Sequence, residues 1–375
     1  MNKLTEVAGV FFKLGLIAFG GPAAHIAMME EEVVSKRKWM SRQHFLDLVG
    51  ATNLIPGPNS TEMTMHCGYE RAGWKGLFVA GACFIFPAVV LTGILAWLYV
   101  TYGEVPAVEP FLYGIKPAVL AIIISAIYKL GQKALKNWQL GVIGAMVIGV
   151  SFLGVNEITA ILGAGLLGLV WFGLENKFQH TKSLIPLSLL GFSQAAVAGV
   201  SSTKLFLVFL KIGAVLFGSG YVLVAYLDGE LVEKLGWLSK PELLDAIAIG
   251  QFTPGPVLST ATFIGYQING ITGAMAATAG IFLPSFLFVL ILNPIVPKLR
   301  KSPLAKGFLD AVNIAAVGIM IAVTIRLGQN ILTDWRAWLI ALISIGISFG
   351  IKKVNAVYLV IGGALLGYLL LQFEF

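Results

Sequence analysis

Apolar runs alternate with short polar loops along the whole chain. Each run approaches the roughly 20 residues that cross a 30 Å hydrocarbon core as a helix. The first half contains such segments at 7–27, 44–62, 76–101, 111–130, 138–153 and 157–173. The second half contains them at 204–226, 242–263, 273–296, 308–327, 336–350 and 354–372. The sequence lacks the alternating pattern of membrane β-strands, so these runs predict an all-α polytopic membrane protein.

The two halves are copies of one unit. When the chain is shifted by 198 residues, 17 of the 49 positions in 10–58 are identical to those in 208–256, including both Pro-Gly-Pro sequences. With small gaps the match continues towards the C-terminus. Such a repeat predicts a first membrane unit at 1–180, a linker at 181–203 and a second membrane unit at 204–375. The apolar stretch at 184–199 leaves open whether the linker crosses the membrane.

Loop charges predict that the two units have opposite orientations in the bilayer. The loop at 100–110 carries Glu104 and Glu109 and no basic residue, whereas its counterpart at 297–306 carries Lys298, Arg300, Lys301 and Lys306. Loops rich in Lys and Arg stay in the cytoplasm, so corresponding loops lie on opposite sides. An inverted pair needs an odd number of crossings per unit. With each Pro-Gly-Pro segment broken or re-entrant, about five crossings per unit and roughly ten in total remain.

Composition supports a membrane protein, which we expect in the plasma (inner) membrane of a bacterium or archaeon, and excludes several other classes. Only 12% of the residues are charged, about half the usual fraction in soluble proteins. The net charge of +7 is spread over short loops, which argues against nucleic-acid binding. Cys67 and Cys83 form neither a disulfide framework nor a metal-ligand spacing. Since P-loop, HExxH and nucleophile-elbow motifs are absent, no enzyme activity, metal or cofactor is predicted.

Candidate chemistry is concentrated where apolar segments are interrupted at matched positions. Secondary transporters with inverted repeats bind their substrates at such interruptions near the midplane. The free N–H groups and dipole at the start of a half-helix suit an anion, and Ser, Thr and Asn side chains can donate to its oxygens. The alternative is that these glycines and prolines only kink packed helices. The candidate residues are Gly20, Gly21, Asn53, Gly57, Asn59, Ser60, Thr61, Gly218, Ser219, Gly220, Gln251, Gly255 and Ser259.

Two matched lysines lie inside apolar stretches. Lys13 and Lys211 each precede a Phe-Gly break by six residues, which is about 9 Å along a helix. A charge at membrane depth costs about 2.5–3.5 kcal/mol, so it usually has a function, here contact with an anion held at the break. The alternative is that both lysines extend to the nearer membrane interface.

Two further titratable residues flank the breaks in the first unit alone. His25 follows the first break, and Leu223 stands at its place in the second unit. It could donate to an anion, carry a proton or be a satisfied structural group. Glu62 follows the first Pro-Gly-Pro, with Thr260 at the matched position, and is a second candidate for proton coupling.

At these residues the sequence resembles the chromate ion transporter family in its two-domain form. The resemblance rests on Phe11-Phe12-Lys13-Leu14-Gly15, Phe19-Gly20-Gly21-Pro22, His25, Trp39, Pro56-Gly57-Pro58 and Phe86-Pro87, with their counterparts from Phe209 to Pro284. Asn53 departs from the pattern, because glutamine is expected there, as at Gln251. The resemblance implies export of chromate, with exchange against sulfate or coupling to protons as possible modes, and chromate resistance. The residues by themselves indicate only a small anion.

Three alternatives to a chromate exporter follow from the same residues. They are a transporter of sulfate or another small oxyanion, an anion channel, and an intramembrane enzyme, of which the last lacks any supporting motif. Besides the substrate, the lipid bilayer is the partner that the sequence implies, and a homodimer is left open.

Overall fold

The computed structural model describes residues 2–19, 22–52, 56–103, 105, 107–175, 200–217, 220–292, 303–351 and 354–372. The stretch at 184–199, whose crossing the sequence left open, lies outside these residues. Every regular element within the described residues is helical, which confirms the prediction of an all-α protein.

The first unit contains seven α-helices in its described residues: α1 (Lys3–Ile17), α2 (Pro22–Met29), α3 (Arg42–Thr52), α4 (Asn59–Tyr102), α5 (Glu109–Ala134), α6 (Trp138–Phe152) and α7 (Glu157–Glu175). A π-helix, Glu30–Lys36, continues α2. Helix α4 is divided at Ala72 and Gly73, which leave helical geometry, and Gly73 has a φ of 64°. Gly68 and Gly76 then pack so closely that a Cβ on either would overlap the other's carbonyl oxygen. The two parts of α4 therefore fold back on each other.

The second unit repeats this order in its described residues: α8 (Ser202–Val215), α9 (Leu223–Leu227), α10 (Lys240–Phe252), α11 (Thr260–Leu292), α12 (Pro303–Ile331), α13 (Trp335–Gly350) and α14 (Ala356–Gln372). A π-helix, Asp228–Lys234, follows α9, and short 3₁₀-helices precede α9 and α11. Helix α11 is bent at Asn269 and Gly270, where Gly270 has a φ of 58°. The matching π-helices and bends show that the duplicated sequence folds into duplicated structure.

Each Pro-Gly-Pro sequence lies at the tip of a helical hairpin. His44, near the start of α3, places its Nε2 3.2 Å from Oε2 of Glu70, near the end of the first part of α4. In the second unit, Gln267 Nε2 of α11 donates to Oε1 of Glu242 of α10 over 2.9 Å. The base of each hairpin is closed by these contacts. In both hairpins the chain therefore enters and leaves at the same end, as expected for re-entrant segments.

The first segment of each unit also folds back, which the sequence did not indicate. Helix α1 ends at Ile17, and the chain returns through α2 and its π-helix. Trp39 Nε1, beyond that π-helix, donates to Oε1 of Glu6 near the start of α1 over 3.1 Å. Ala18, which lies just before the Phe-Gly break in the sequence, is therefore near the tip of this hairpin, and each unit contributes two tips.

The remaining helices are those of a multi-pass membrane protein. Helices α4, α5, α11 and α12 are long and apolar enough to cross a bilayer, and four shorter apolar helices, α6, α7, α13 and α14, accompany them. This confirms the polytopic class. The number of crossings stays a prediction; outside the two hairpins, the described part of each unit contributes four apolar helices, counting the second part of α4 or α11.

The central helices of each unit pack against helices of the other unit. Helix α5 of the first unit packs against α13 and α14 of the second, and α12 of the second packs against α6 and α7 of the first. A charged pair joins the units as well: Nζ of the partly buried Lys116 on α5 lies 3.5 Å from Oδ2 of the buried Asp245 on α10. Neither unit could bury these surfaces alone.

Close helix contact at small residues holds these helices together. A Cβ on Gly363 of α14 would lie 2.6 Å from Cβ of Ala118 and 2.7 Å from the carbonyl oxygen of Gly114, both on α5. The neighbouring Gly362 has no atom within 4 Å of its Cβ position. Small residues at such crossings let membrane helices approach closely.

We therefore expect Gly363→Val to destabilise the protein by about 1–3 kcal/mol through overpacking. Gly362→Val is the matched control, because it carries the same propensity change into open space. The thermal midpoint of the detergent-solubilised protein should fall for the first variant only. Equal midpoints for the two variants would contradict the contact.

Candidate functional site

The four hairpin tips meet in two crossed pairs. Gly57 N–H, in the Pro-Gly-Pro tip of the first unit, donates to the carbonyl oxygen of Leu216, beside the Phe-Gly break of the second, over 2.6 Å. Gly255 N–H donates to the carbonyl oxygen of Ala18 over 2.9 Å. The positions 18 and 216 are themselves related by the shift of 198, so the two bonds are equivalent. Each unit thus completes the broken segment of the other.

Both tips require glycine at the crossing point. Gly57 has a φ of 141° and Gly255 a φ of 87°, values that other residues rarely adopt. A Cβ on Gly255 would also lie 3.0 Å from Cβ of Ala88. A Cβ on Gly57 would overlap Oε1 of Glu62 and lie 2.6 Å from Oγ of Ser285. The backbone conformation and the close neighbours together explain why the central residue of each Pro-Gly-Pro sequence is glycine.

The tip of the first unit holds an unpaired carboxyl group. Glu62 is completely buried, and neither carboxyl oxygen has a hydrogen-bond partner among the described residues. Ser285, which comes from α11 of the second unit, is also completely buried, and its Oγ likewise lacks a partner there. Burial of an unpaired charge is very costly, so this carboxyl group needs a proton or a ligand. Its role in proton coupling stays a prediction at this point.

His25 joins the two tips of the first unit. Its Nε2 lies 3.0 Å from the carbonyl oxygen of Ala18, so this nitrogen carries the donated proton, and its Nδ1 lies 3.2 Å from Oγ of Ser60. The Ala18 oxygen therefore accepts from both His25 and Gly255. Since both ring nitrogens have protein partners, His25 is placed to hold the break, and direct contact with an anion stays a prediction.

Helix starts supply the polar groups of each tip. The backbone N–H groups of Thr61 and Glu62 donate to the carbonyl oxygen of Pro58 in the first bonds of α4, which leaves the backbone N–H of Ser60 ahead of the helical ladder. Ser60 and Thr61 are buried. The Thr61 hydroxyl has no hydrogen-bond partner in the described part of the chain. This region has the chemistry of an anion site: amide and hydroxyl donors at the positive end of a long helix.

In the second unit most tip hydroxyls are satisfied locally. Ser259 Oγ lies 3.4 Å from Oγ1 of Thr253, and Thr260 donates to the carbonyl oxygen of Val257 over 2.8 Å. Gln251 is buried, and its Nε2 lacks a partner among the residues that are described. A Cβ on Gly220 would be 3.4 Å from Leu258, so the 3₁₀-helix before α9 packs against the 3₁₀-helix that follows the Pro-Gly-Pro sequence of its own unit. The second tip therefore offers chiefly the Gln251 amide.

Five predicted site residues lie outside the described residues: Gly20, Gly21, Asn53, Gly218 and Ser219. Their assignment as substrate-binding residues stays a prediction.

The two matched lysines form matched ion pairs. Lys13 Nζ lies 3.3 Å from Oε1 of Glu32, and Lys211 Nζ lies 2.9 Å from Oε2 of Glu230. Both glutamates belong to the π-helices and are buried, whereas the lysine side chains are 58% and 39% exposed. The lysines therefore lie on the outer side of their hairpins, each balanced by a carboxylate. A π-helix often marks a functional position, and here each π-helix places its glutamate beside the lysine of the same unit.

Sequence reasoning missed Ser285 and the π-helices. Ser285 directly follows Pro284, and Ala88 follows the matched Pro87, so the polar substitution was visible in the repeat. No comparable signal announced the π-helices, because a single turn that is wider by one residue leaves the hydrophobic pattern almost unchanged. Within the part of the chain that the structure describes, no group of three or more His, Cys, Asp or Glu side chains is arranged to hold a metal ion.

Long apolar helices surrounding interrupted segments, with helix starts and buried polar groups at the interruptions, define a membrane transport protein. The chain belongs to the chromate transporter family, whose profile matches residues 5–169 and again residues 203–368. The double match fits the two-domain form and confirms the resemblance drawn from the motifs.

Curated relatives agree over nearly the full length. The chain is 31% identical to a chromate transport protein of Cupriavidus metallidurans, over 97% of this chain and 92% of the relative. It is 32% identical to a probable chromate transport protein of Synechococcus elongatus, over 94% and 91%. An uncharacterized transporter of Methanocaldococcus jannaschii is 28% identical over 96% and 93%. No solved structure matches the chain.

The crossed hydrogen bonds can be tested through Gly255. We expect Gly255→Ala to lower the thermal midpoint and to speed amide hydrogen exchange in the peptide that contains residues 253–257, because the added methyl group strains the backbone and contacts Ala88. Gly73→Ala is the control, since Gly73 also has a positive φ but open space around its Cβ position. That change should cost only the backbone strain of about 1 kcal/mol. Equal effects of the two substitutions would argue against a tight crossing.

Proposed function

We propose that the protein is a secondary transporter that exports chromate, binding the anion where the hairpin tips meet. The observation that supports this most strongly is the crossing of both Pro-Gly-Pro tips with the breaks of the opposite unit. It gathers helix starts, hydroxyl groups and the Gln251 amide into the interior of a membrane protein. Membership in the chromate transporter family supplies the substrate, which the residues alone do not distinguish from other small anions.

Chromate and sulfate are tetrahedral dianions of similar chemistry, so we propose that sulfate-like oxyanions share the site. Amide and hydroxyl donors recognise oxygen atoms and charge rather than the central atom. The same donors would also suit an anion channel, for which saturation of the flux provides the test.

Export is the favourable direction for a dianion. Two negative charges leaving a cell that is negative inside gain about 4.6 kcal/mol per 100 mV, twice the value for one charge. No further energy source is required in this direction. Uptake of the same ion would have to overcome that barrier, for instance by moving about three protons with it. We therefore expect the protein to act in the plasma membrane, because such a potential exists across it.

We further propose that the two units are inverted and that they support alternating access. Opposite loop charges first suggested this arrangement. The tips add support, because hairpins that meet tip to tip have their bases pointing apart. A pair of units related in this way can rock around a fixed central site and open it to either side in turn.

The lysines provide one test of the site. Lys13→Ala combined with Lys211→Ala should abolish chromate transport while the protein still inserts, if these ammonium groups attract the anion towards the breaks. Lys36→Ala combined with Lys234→Ala is the matched control, because these lysines pair with the same two glutamates through Oε1 at 3.3 and 3.0 Å. Transport that survives in the first double variant would exclude its lysines from the site.

The function itself is tested by flux of radiolabelled chromate and sulfate in proteoliposomes, with the pH gradient and the membrane potential set independently. Chromate should move towards the positive side, with a saturable rate and with competition by sulfate. At equilibrium without a pH gradient, a potential of 100 mV should produce an accumulation of about three orders of magnitude if the dianion crosses alone, and about half as many orders if one proton crosses with it. Flux that ignores a potential of either sign would exclude net charge movement and leave electroneutral exchange. Flux that never saturates would indicate a channel.

A further inference from the structure

The two Pro-Gly-Pro tips share a backbone arrangement but differ in chemistry. At the first tip, the atoms nearest to the Cβ position of Gly57 belong to Glu62 and Ser285. At the second tip, the nearest side-chain atom to the Cβ position of Gly255 is Cβ of Ala88, which occupies the place of Ser285 in the repeat. The duplication has therefore kept the frame and placed a carboxyl group and the Ser285 hydroxyl beside the glycine of the first tip only.

The charged groups on the elements around Glu62 are engaged with other residues. Helix α11, which supplies Ser285, contains no charged residue. On the other neighbouring elements, titratable groups pair with residues other than Glu62: Glu6 with Arg71, Lys13 with Glu32, His25 with Ser60, Arg42 with Glu30, His44 with Glu70, Glu242 with Gln267 and Asp245 with Lys116. His66, one turn beyond Glu62, is also engaged. No cation within the described residues therefore balances a charge on Glu62.

From this asymmetry we propose that Glu62 binds one proton together with each transported anion. A negative charge on Glu62 would repel an oxyanion at the adjacent start of α4, and the low dielectric of the interior strengthens that repulsion. The anion therefore binds when the carboxyl group is protonated, and a protonated carboxyl group can also donate to an oxyanion oxygen. The second tip, with Ala88 in place of Ser285, takes no proton.

The charge balance follows directly. Binding consumes one proton, which neutralises Glu62, and one dianion, so the loaded site gains a net charge of −1. When both are released on the outside, one negative charge has crossed. The inference rests on the proposed function and specifies the ion that accompanies the anion.

The test compares wild type with Glu62→Gln, which keeps the shape of the side chain and resembles its protonated form. Binding of radiolabelled chromate by the full-length purified protein is measured as a function of pH. As the pH rises, the dissociation constant of the wild type should increase more steeply than that of Glu62→Gln, by a factor of up to ten for each pH unit. This is the difference in slope expected when one proton is linked to binding. The protonation of chromate itself is the same for both proteins and cancels in the comparison.

Glu70→Gln is the matched control, because it makes the same change eight residues further along the same helix, at the hairpin base. It should retain the wild-type slope. Identical slopes for wild type and Glu62→Gln would overturn the inference while leaving chromate transport intact. Absence of chromate flux in wild-type proteoliposomes would instead remove the proposed function, and the inference with it.

A second measurement requires no variant. In the pH range where the wild-type dissociation constant rises tenfold per pH unit, Glu62 of the empty protein is ionised, so chromate added in weakly buffered solution should cause uptake of close to one proton per anion bound. Binding without proton uptake in that range would overturn the proposal even if Glu62→Gln failed to fold.

Discussion

The structure depends on satisfying backbone polar groups where helices stop inside a membrane. An interrupted helix leaves N–H and C=O groups that lipid cannot solvate, at a cost of several kcal/mol each. Here the bonds from Gly57 to Leu216 and from Gly255 to Ala18 satisfy part of this need across the two units. The interruption is thus tolerated because each unit supplies an acceptor to the other, which makes the paired units a single structural entity.

This constraint also explains why the central helices of each unit pack against the other unit. The tips can remain crossed only if the surrounding helices hold both units in register, and α5 and α12 do so by packing in the opposite unit. Close approach at Gly114 and Gly363 brings the backbones together, and the pair of Lys116 and Asp245 adds a partly buried charge contact. In the alternating access that we propose, a site at this junction opens by relative movement of packed bodies, without refolding of either one.

Duplication allowed the two halves to specialise. Both units keep the lysine that pairs with a π-helix glutamate, which indicates a role common to both. Only the first unit has His25, Glu62 and the contribution of Ser285, so the polar groups at the two tips are unequal. A symmetric frame with an asymmetric set of titratable groups permits one tip to respond to protons while the other does not. Such division of labour requires no change in the fold.

The sequence by itself determined the class, the duplication, the four breaks and the family, because membrane length, hydrophobic pattern and Pro-Gly-Pro chemistry are local properties. It also indicated the re-entrant Pro-Gly-Pro segments. Only the tertiary structure decided which tips meet, since the partner of Gly57 is 159 positions away in the chain. It also decided that Glu62 faces Ser285 without a counter-charge, while Lys13 faces Glu32. Long-range contacts of this kind depend on how the two units pack against each other. The pattern of residues along the chain does not specify that packing.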